Sequence, residues 1–181
     1  LGIWYFDRED VDVAVLEVGL GGEYDATSVV DPVASCVTTV TLEHTDTLGD
    51  TIEEIATTKA KVAPNGDTPL VTGATGGARK AVRAEAGELL TVGTGDDDPA
   101  DCTVNYGGRV NHTEARAGID LPDREPWTVL DDSRLDVRLP LLGEHQALNA
   151  GIATMLAGQL VETVDDELAV DFDADAIGRG L

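Results

Sequence analysis

The feature that most constrains this chain is the alternation of short β-rich apolar runs with helix-like segments over its first half. Residues 11–18 (VDVAVLEV) form a mostly apolar run that predicts a buried parallel strand. Strands that alternate with helices indicate an α/β domain, with a mainly parallel sheet flanked by helices. The other predicted elements of this half are strands at residues 33–42, 68–72 and 89–92 and helices at about residues 50–62 and 76–87.

The pattern changes in the second half, where apolar and polar residues alternate between turn residues. After a break at residues 96–99, residues 102–140 predict a small antiparallel β patch. Residues 144–161 predict a long helix, and a last helix begins at 173–178 with Asp173 as its N-cap. The chain therefore divides into three parts: a parallel α/β part (1–95), the β patch (102–140) and C-terminal helices (144–181).

The charge balance narrows the classes of function. The 181 residues include 35 Asp and Glu against 12 Lys and Arg, which gives a net charge of −23. Self-repulsion on this scale destabilises a compact state unless salt screens it, so we hypothesise a protein adapted to high internal salt. The same charge argues against a nucleic-acid partner, because phosphate contacts need Lys and Arg. No apolar run approaches the roughly 20 residues that span a bilayer, so we expect no membrane partner and a cytoplasmic location.

Two polar side chains follow predicted strands at the carboxyl ends, where ligands bind in α/β sheets. Glu17 ends the first strand beside a glycine loop at residues 19–22, and His44 follows the second strand between Glu43 and Asp46. Oxygen ligands with one imidazole suit Mg²⁺ or Mn²⁺ better than a closed zinc site. The structural alternatives are a carboxylate that caps nearby amides and a histidine without a chemical role.

Three other features admit both a functional and a structural interpretation. The glycine loop lacks the third glycine of G-x-G-x-x-G, since position 24 is Tyr24, so we reject a dinucleotide site. Lys59 and Lys61 are two of three lysines, and their spacing alone favours a solvated helix face over a lysine near a metal. The helix start at residues 143–150 presents free amides, and its Gln and Asn side chains suit an adenine edge, although polar first turns are common.

Three segments together resemble the folylpolyglutamate synthase/dihydrofolate synthase family, within the Mur ligase superfamily. They are LEVGLGGEYDATSVVDP (16–32), TLEHTDTLGDTIEEIATTKAKVAP (41–64) and LPLLGEHQALNAGIA (139–153). The resemblance implies the central ATPase-type domain of a Mur ligase from about Val11 to the end, with residues 102–138 matching only in general character. It also implies a reaction. ATP phosphorylates a carboxylate of a folate or dihydropteroate acceptor, and the amine of L-glutamate then attacks the acyl phosphate, with Mg²⁺ neutralising phosphate charge.

The resemblance also implies roles for individual residues. Glu17 and His44 match the family's magnesium ligands. Lys59 matches its carbamylated lysine, which favours the functional over the surface interpretation. The remaining matches are Tyr24, Asp25 and Ala26 in the loop that touches the acceptor, and the ATP-contacting Asn149 with His145 and Gln146 beside it.

The chain also departs from the family pattern. Glu23 stands where the family usually has arginine, Ser28 where it usually has asparagine, and Lys61 where it usually has glycine. No G-x-x-x-x-G-K-[ST] phosphate loop occurs, since the chain contains no Gly-Lys pair. We expect that loop and a C-terminal glutamate-binding domain to lie outside these residues, and the 181 residues alone to lack synthetase activity.

Two alternatives stay open. One is another Mur-type ligase, which joins a different acceptor to an amino acid. The other is a non-catalytic scaffold or one part of a split enzyme, whose partner supplies the phosphate loop. A dinucleotide-binding oxidoreductase is a distant third.

Overall fold

The computed structural model describes residues 1–64, 66, 68–95, 99–129, 133–164 and 173–181. Within these residues a single sheet holds six strands in the order β1-β2-β3-β4-β5-β6. Neighbours from β1 to β4 pair in parallel, and β4, β5 and β6 pair antiparallel, so the predicted sheet with its small antiparallel patch is confirmed. The strands are β1 (Ser35–Val37), β2 (Leu70–Thr72), β3 (Leu89–Gly93), β4 (Cys102–Arg109), β5 (Ala115–Asp120) and β6 (Arg134–Leu139).

Local side-chain caps explain where several helices begin. Thr51 and Glu54 form a capping box at the start of α3, and the Asp173 carboxylate accepts from the Ala176 amide at 2.6 Å, as its predicted N-cap role requires. None of the helices in the described ranges is long and apolar enough to cross a membrane. The helices are α1 (Gly2–Arg8), α2 (Thr45–Leu48), α3 (Ile52–Ala60), α4 (Gly76–Glu85), α5 (Glu144–Val164) and α6 (Ala174–Gly180), with 3-10 turns at Ala26–Val29 and Trp127–Val129.

The hydrophobic core consists of two clusters of buried side chains. One packs α5 against β3–β6 and includes Ile119, Trp127 and Met155. The other packs α3 and α4 with β1 and β2, and includes Leu70 and Val82. The helix with the predicted ATP-side residues and the helix with Lys59 are therefore both anchored in the core.

The predicted first strand is wrong. Residues 11–18 pair with none of the described strands, and Val15 is 86% exposed. A strand needs a neighbour for its backbone N–H and C=O groups, and an apolar run does not supply one. The second strand is also shorter than predicted, since only Ser35–Val37 of residues 33–42 pairs with β2.

The predicted break at residues 96–99 lies mostly outside the described residues. β3 and β4 pair at Val92 and Cys102, so the predicted α/β part and the β patch share one sheet. The division of the chain into three parts stays a prediction.

Candidate active site

A glycine-rich loop at residues 19–25 folds around the carboxylate of Asp25. Its Oδ2 accepts hydrogen bonds from the amides of Gly19 and Leu20 at 3.1 and 3.2 Å. Its Oδ1 accepts from the amide and the hydroxyl of Thr27 at 2.9 and 2.7 Å. These bonds, with those from Thr27 the strongest, lower the pKa of Asp25 below its ordinary value. Asp25 thus organises the predicted acceptor loop from within.

The same loop lies against the C-terminal end of α3. A Cβ at Gly22 would be 2.3 Å from the Val62 amide nitrogen and 3.1 Å from the Lys59 carbonyl oxygen. At Gly21, where φ is +65°, a Cβ would be 3.0 Å from the Leu48 side chain. The close approach at position 22 and the left-handed backbone at position 21 both require glycine. The loop and Lys59, which is half-buried in the last turn of α3, therefore meet at one end of one helix.

Tyr24 and Ala26 flank Asp25 and are both exposed. The Tyr24 residue is 82% exposed, so its aromatic face is open to a flat ligand. Ala26 begins the 3-10 turn that Asp25 caps. The three predicted acceptor contacts thus occupy consecutive positions where the loop passes into the 3-10 turn.

Glu17 and His44 are exposed and lie outside regular strands. His44 is the N-cap residue of α2 and has φ of 52°, a left-handed conformation that is uncommon for a residue with a side chain. Among the residues that the structure describes, no hydrogen bond or ion pair engages either side chain. One carboxylate and one imidazole are thus available as donors, and they suit a Mg²⁺ ion that keeps several waters.

The structure does not bring a complete set of metal ligands together. In the described part of the chain, no group of three or more His, Cys, Asp or Glu side chains is arranged to hold a metal ion. Lys59 in the form of a carbamate would add oxygen donors to the His, Cys, Asp and Glu side chains. Glu17 and His44 as magnesium ligands and Lys59 as a carbamate therefore stay predictions.

The predicted ATP-side residues gather at the start of α5. The Asn149 amide donates to Gln146 Oε1 at 3.4 Å. The His145 ring lies over Gly143, where a Cβ would be 2.6 Å from its Cε1 atom. The structure thus brings Asn149 and Gln146 together, while His145 lies against Gly143, and α5 itself is held in the core by residues such as Ala147.

One contact of the site was missed from the sequence. Lys61 Nζ donates a hydrogen bond to Glu23 Oε2, and the side chains form an ion pair with 39% of each exposed. This hydrogen bond, followed by a smaller charge attraction, raises the pKa of Lys61. The sequence held one signal for this contact. Positions 23 and 61 both depart from the family pattern and carry opposite charges, but neither departure indicates a contact by itself.

The chain is similar to known proteins over most or all of its length. Residues 4–157 match the Mur ligase middle domain. The chain is 58% identical over 182 residues to the probable bifunctional folylpolyglutamate synthase/dihydropteroate synthase of Haloferax volcanii, which covers 100% of this chain and 20% of that protein. It is 35% identical over 165 residues to the folylpolyglutamate synthase of Lacticaseibacillus casei, with 87% and 34% covered. A solved FPGS–AMPPCP–folate complex superposes with a TM-score of 0.79 at 32% identity, over 98% of this chain and 40% of that one.

Proposed function

The chain belongs to the Mur ligase family, and on that premise we propose that it forms the central part of an ATP-dependent ligase that adds L-glutamate to a folate or dihydropteroate acceptor. The observation that supports this most strongly is 58% identity along the entire chain to a relative named as a folylpolyglutamate synthase. The chain spans only 20% of the length of that relative, so the activity of the whole relative is proposed, and not shown, for these residues. A structural neighbour solved with AMPPCP and folate supports ATP and a folate as ligands.

In this proposal the two sides of the site are the acceptor loop and the start of α5. The exposed ring of Tyr24 stacks on the flat acceptor, while the closed loop around Asp25 fixes the position of that ring. Gln146 and Asn149 each have a donor and an acceptor and thus suit the adenine edge of ATP. The acceptor carboxylate takes the phosphoryl group, and the amine of L-glutamate then displaces it as phosphate.

Glu17 and His44 are the residues that would hold Mg²⁺, with Lys59 as a carbamate adding oxygen donors from α3. When bound, the metal would neutralise charge on the phosphates during transfer. The protein's own part is to present a carboxylate and an imidazole that no other contact occupies among the described residues. The Lys59 side chain is half-buried, and its backbone carbonyl lies beside Gly22 of the acceptor loop, which supports a role for Lys59 at the site.

Salt adaptation and a cytoplasmic location are parts of the same proposal. The net charge of −23 and the similarity to a protein of Haloferax volcanii support a halophilic character. The midpoint of thermal unfolding is expected to rise steeply from low to molar KCl, because salt screens the self-repulsion. Equal stability in dilute buffer and in molar KCl would contradict salt adaptation while leaving the ligase proposal unaffected.

The decisive experiment is an assay of the full-length reading frame that contains these residues. ATP, Mg²⁺, L-glutamate and high KCl are supplied with either dihydropteroate or a reduced folate, and glutamylated product, ADP and phosphate are measured. Product with either acceptor supports the proposal, and the pair of acceptors shows which synthase activity is present. Ligation of a different amino acid or acceptor favours another Mur-type ligase. Activity that needs a second polypeptide favours a split enzyme.

A further inference from the structure

The ion pair between Glu23 and Lys61 joins the acceptor loop to the residue that ends α3. Lys61 is the C-cap of that helix, two residues after Lys59. Glu23 lies between buried Gly22 and exposed Tyr24. From this placement we propose that Lys61 is a positioning residue, which fixes the acceptor loop through Glu23 and so sets the affinity for the acceptor. The identity of the acceptor rests on the proposed function, whereas the contact itself does not.

The other interactions of the loop close it on itself or pack it without a polar contact to α3. The bonds of Asp25 to Gly19 and Leu20 close the loop on itself and do not reach α3. Gly22 contacts the end of α3 through van der Waals packing alone. Among the described residues, the Glu23–Lys61 pair is the polar link between the loop and that helix. Without it only the packing at Gly22 holds the loop on the helix, so the loop opens more often.

The pair also removes a negative charge next to the acceptor site. The chain has 35 acids and three lysines, so an unpaired carboxylate at Glu23 would add to a field that already repels anions. In the proposed reaction the acceptor itself carries the carboxylate that is phosphorylated. Loss of Lys61 thus frees the loop and exposes a like charge, whereas loss of the Glu23 charge only frees the loop. The first change is expected to weaken acceptor binding more than the second.

Steady-state kinetics on the full-length reading frame test this order. Exposed ion pairs are weak, so Lys61→Ala should raise the KM for the acceptor by about two- to five-fold, and Glu23→Gln should raise it by less. The kcat and the KM for ATP should not change. The charge-swapped double variant Glu23→Lys/Lys61→Glu restores the contact and should recover most of the acceptor KM.

A matched control is Arg124→Ala. This change removes the exposed ion pair of Arg124 with Glu88, directly before β3, at 2.9 Å. It also removes the contact of Arg124 with Glu162 at 3.8 Å and its position over the Trp127 ring, so it disturbs more contacts than Lys61→Ala but none at the loop. It should leave the acceptor KM unchanged. An unchanged KM in Lys61→Ala, an equal rise in Arg124→Ala, or no recovery in the charge swap would each overturn the proposal.

Amide hydrogen exchange separates this proposal from the proposed function. If the unaltered protein glutamylates no folate, the proposed function fails, but exchange over residues 19–25 still reports on the loop. Faster exchange in Lys61→Ala than in Arg124→Ala supports a positioning role of Lys61. Equal exchange in the two variants overturns it.

Discussion

Gly22 lies so close to Val62 that a Cβ on the glycine would be 2.3 Å from the valine amide nitrogen. This approach places the predicted acceptor loop on the backbone that follows α3, beside the Lys59 carbonyl. The position of the loop and the position of Lys59 therefore depend on the same short stretch of chain.

Gly22→Ala should destabilise the protein, because the added methyl has no space and the backbone must move. Overpacking of this kind costs about 1–3 kcal/mol of unfolding free energy. Denaturant unfolding measures the loss. Gly178→Ala is the control, because a Cβ there meets no atom within 4 Å and the residue lies in α6, where alanine is tolerated. Equal stability of the two variants would show that position 22 is not packed against α3.

Asp25→Asn should loosen the glycine loop, because an amide leaves only one acceptor oxygen where the carboxylate has two. Amide exchange at Gly19 and Leu20 should become faster, since both amides donate to Asp25 Oδ2. The effect depends on pH. The pKa of Asp25 is lowered in the folded protein, so its contribution is present above the unfolded pKa near 4 and is lost as pH falls through the lower folded value. The difference in exchange rate between Asp25→Asn and the unaltered protein should therefore shrink in acid. A difference that grows in acid would contradict the role of the Asp25 carboxylate.

Lys59→Arg should lower turnover of the full-length reading frame by about 10- to 100-fold or more, because a guanidinium forms no carbamate. Lys80→Arg, at an exposed position of α4, is the matched control and should retain normal turnover. Isotope-labelled bicarbonate provides a second measurement, since a carbamate signal should be present in Lys80→Arg and absent in Lys59→Arg. Full activity of Lys59→Arg would make Lys59 an ordinary helix residue.

Glu17→Gln and His44→Ala should each lower turnover severely, because each removes a predicted magnesium donor. Both side chains are exposed, so the thermal midpoint should stay close to that of the unaltered protein. Raising the Mg²⁺ concentration should recover part of the activity. Near-normal turnover in either variant would count against the metal assignment of that residue.

The two cysteines should differ in reactivity. Burial, followed by charge repulsion from Asp120 and Asp101, raises the pKa of Cys102 to about 12, whereas half-buried Cys36 has a pKa raised by burial alone. A thiol reagent at pH 8 should modify Cys36 first, and Cys102 only on unfolding. Because the buried thiol resists ionisation, the fold should lose stability as pH rises above the ordinary thiol pKa of 9.0 toward 12, and Cys102 should have no effect on the pH dependence below 9.0. Cys102→Ala should remove that pH dependence.

The elements that could be predicted from the sequence are those fixed by local interactions. Asp173 needs only the amide of Ala176 to start α6, and the predicted strand at residues 89–92 is found as Leu89–Gly93. The failed strand at residues 11–18 depended on a neighbour elsewhere in the chain, which periodicity does not reveal.

The candidate site shows the same limit. Resemblance named Glu17, His44 and Lys59, but no local pattern states which side chains meet. The contact between Glu23 and Lys61 joins positions 38 residues apart, and it follows only from the fold of the loop onto α3. The role of Asp25 as the organiser of the loop likewise required the positions of the Gly19 and Leu20 amides.

The change from parallel to antiparallel pairing across the sheet has a consequence for the order of folding. β4, β5 and β6 pair with near neighbours in sequence, whereas β1 meets β2 only after a crossover that includes α2 and α3. Closing the longer loop costs more chain entropy, and non-local parallel pairing is slow. Pulsed hydrogen exchange should therefore find protection first in β4–β6. The glycine loop and Lys59 lie at the end of the crossover helix α3, so this side of the candidate active site should become ordered after β4–β6.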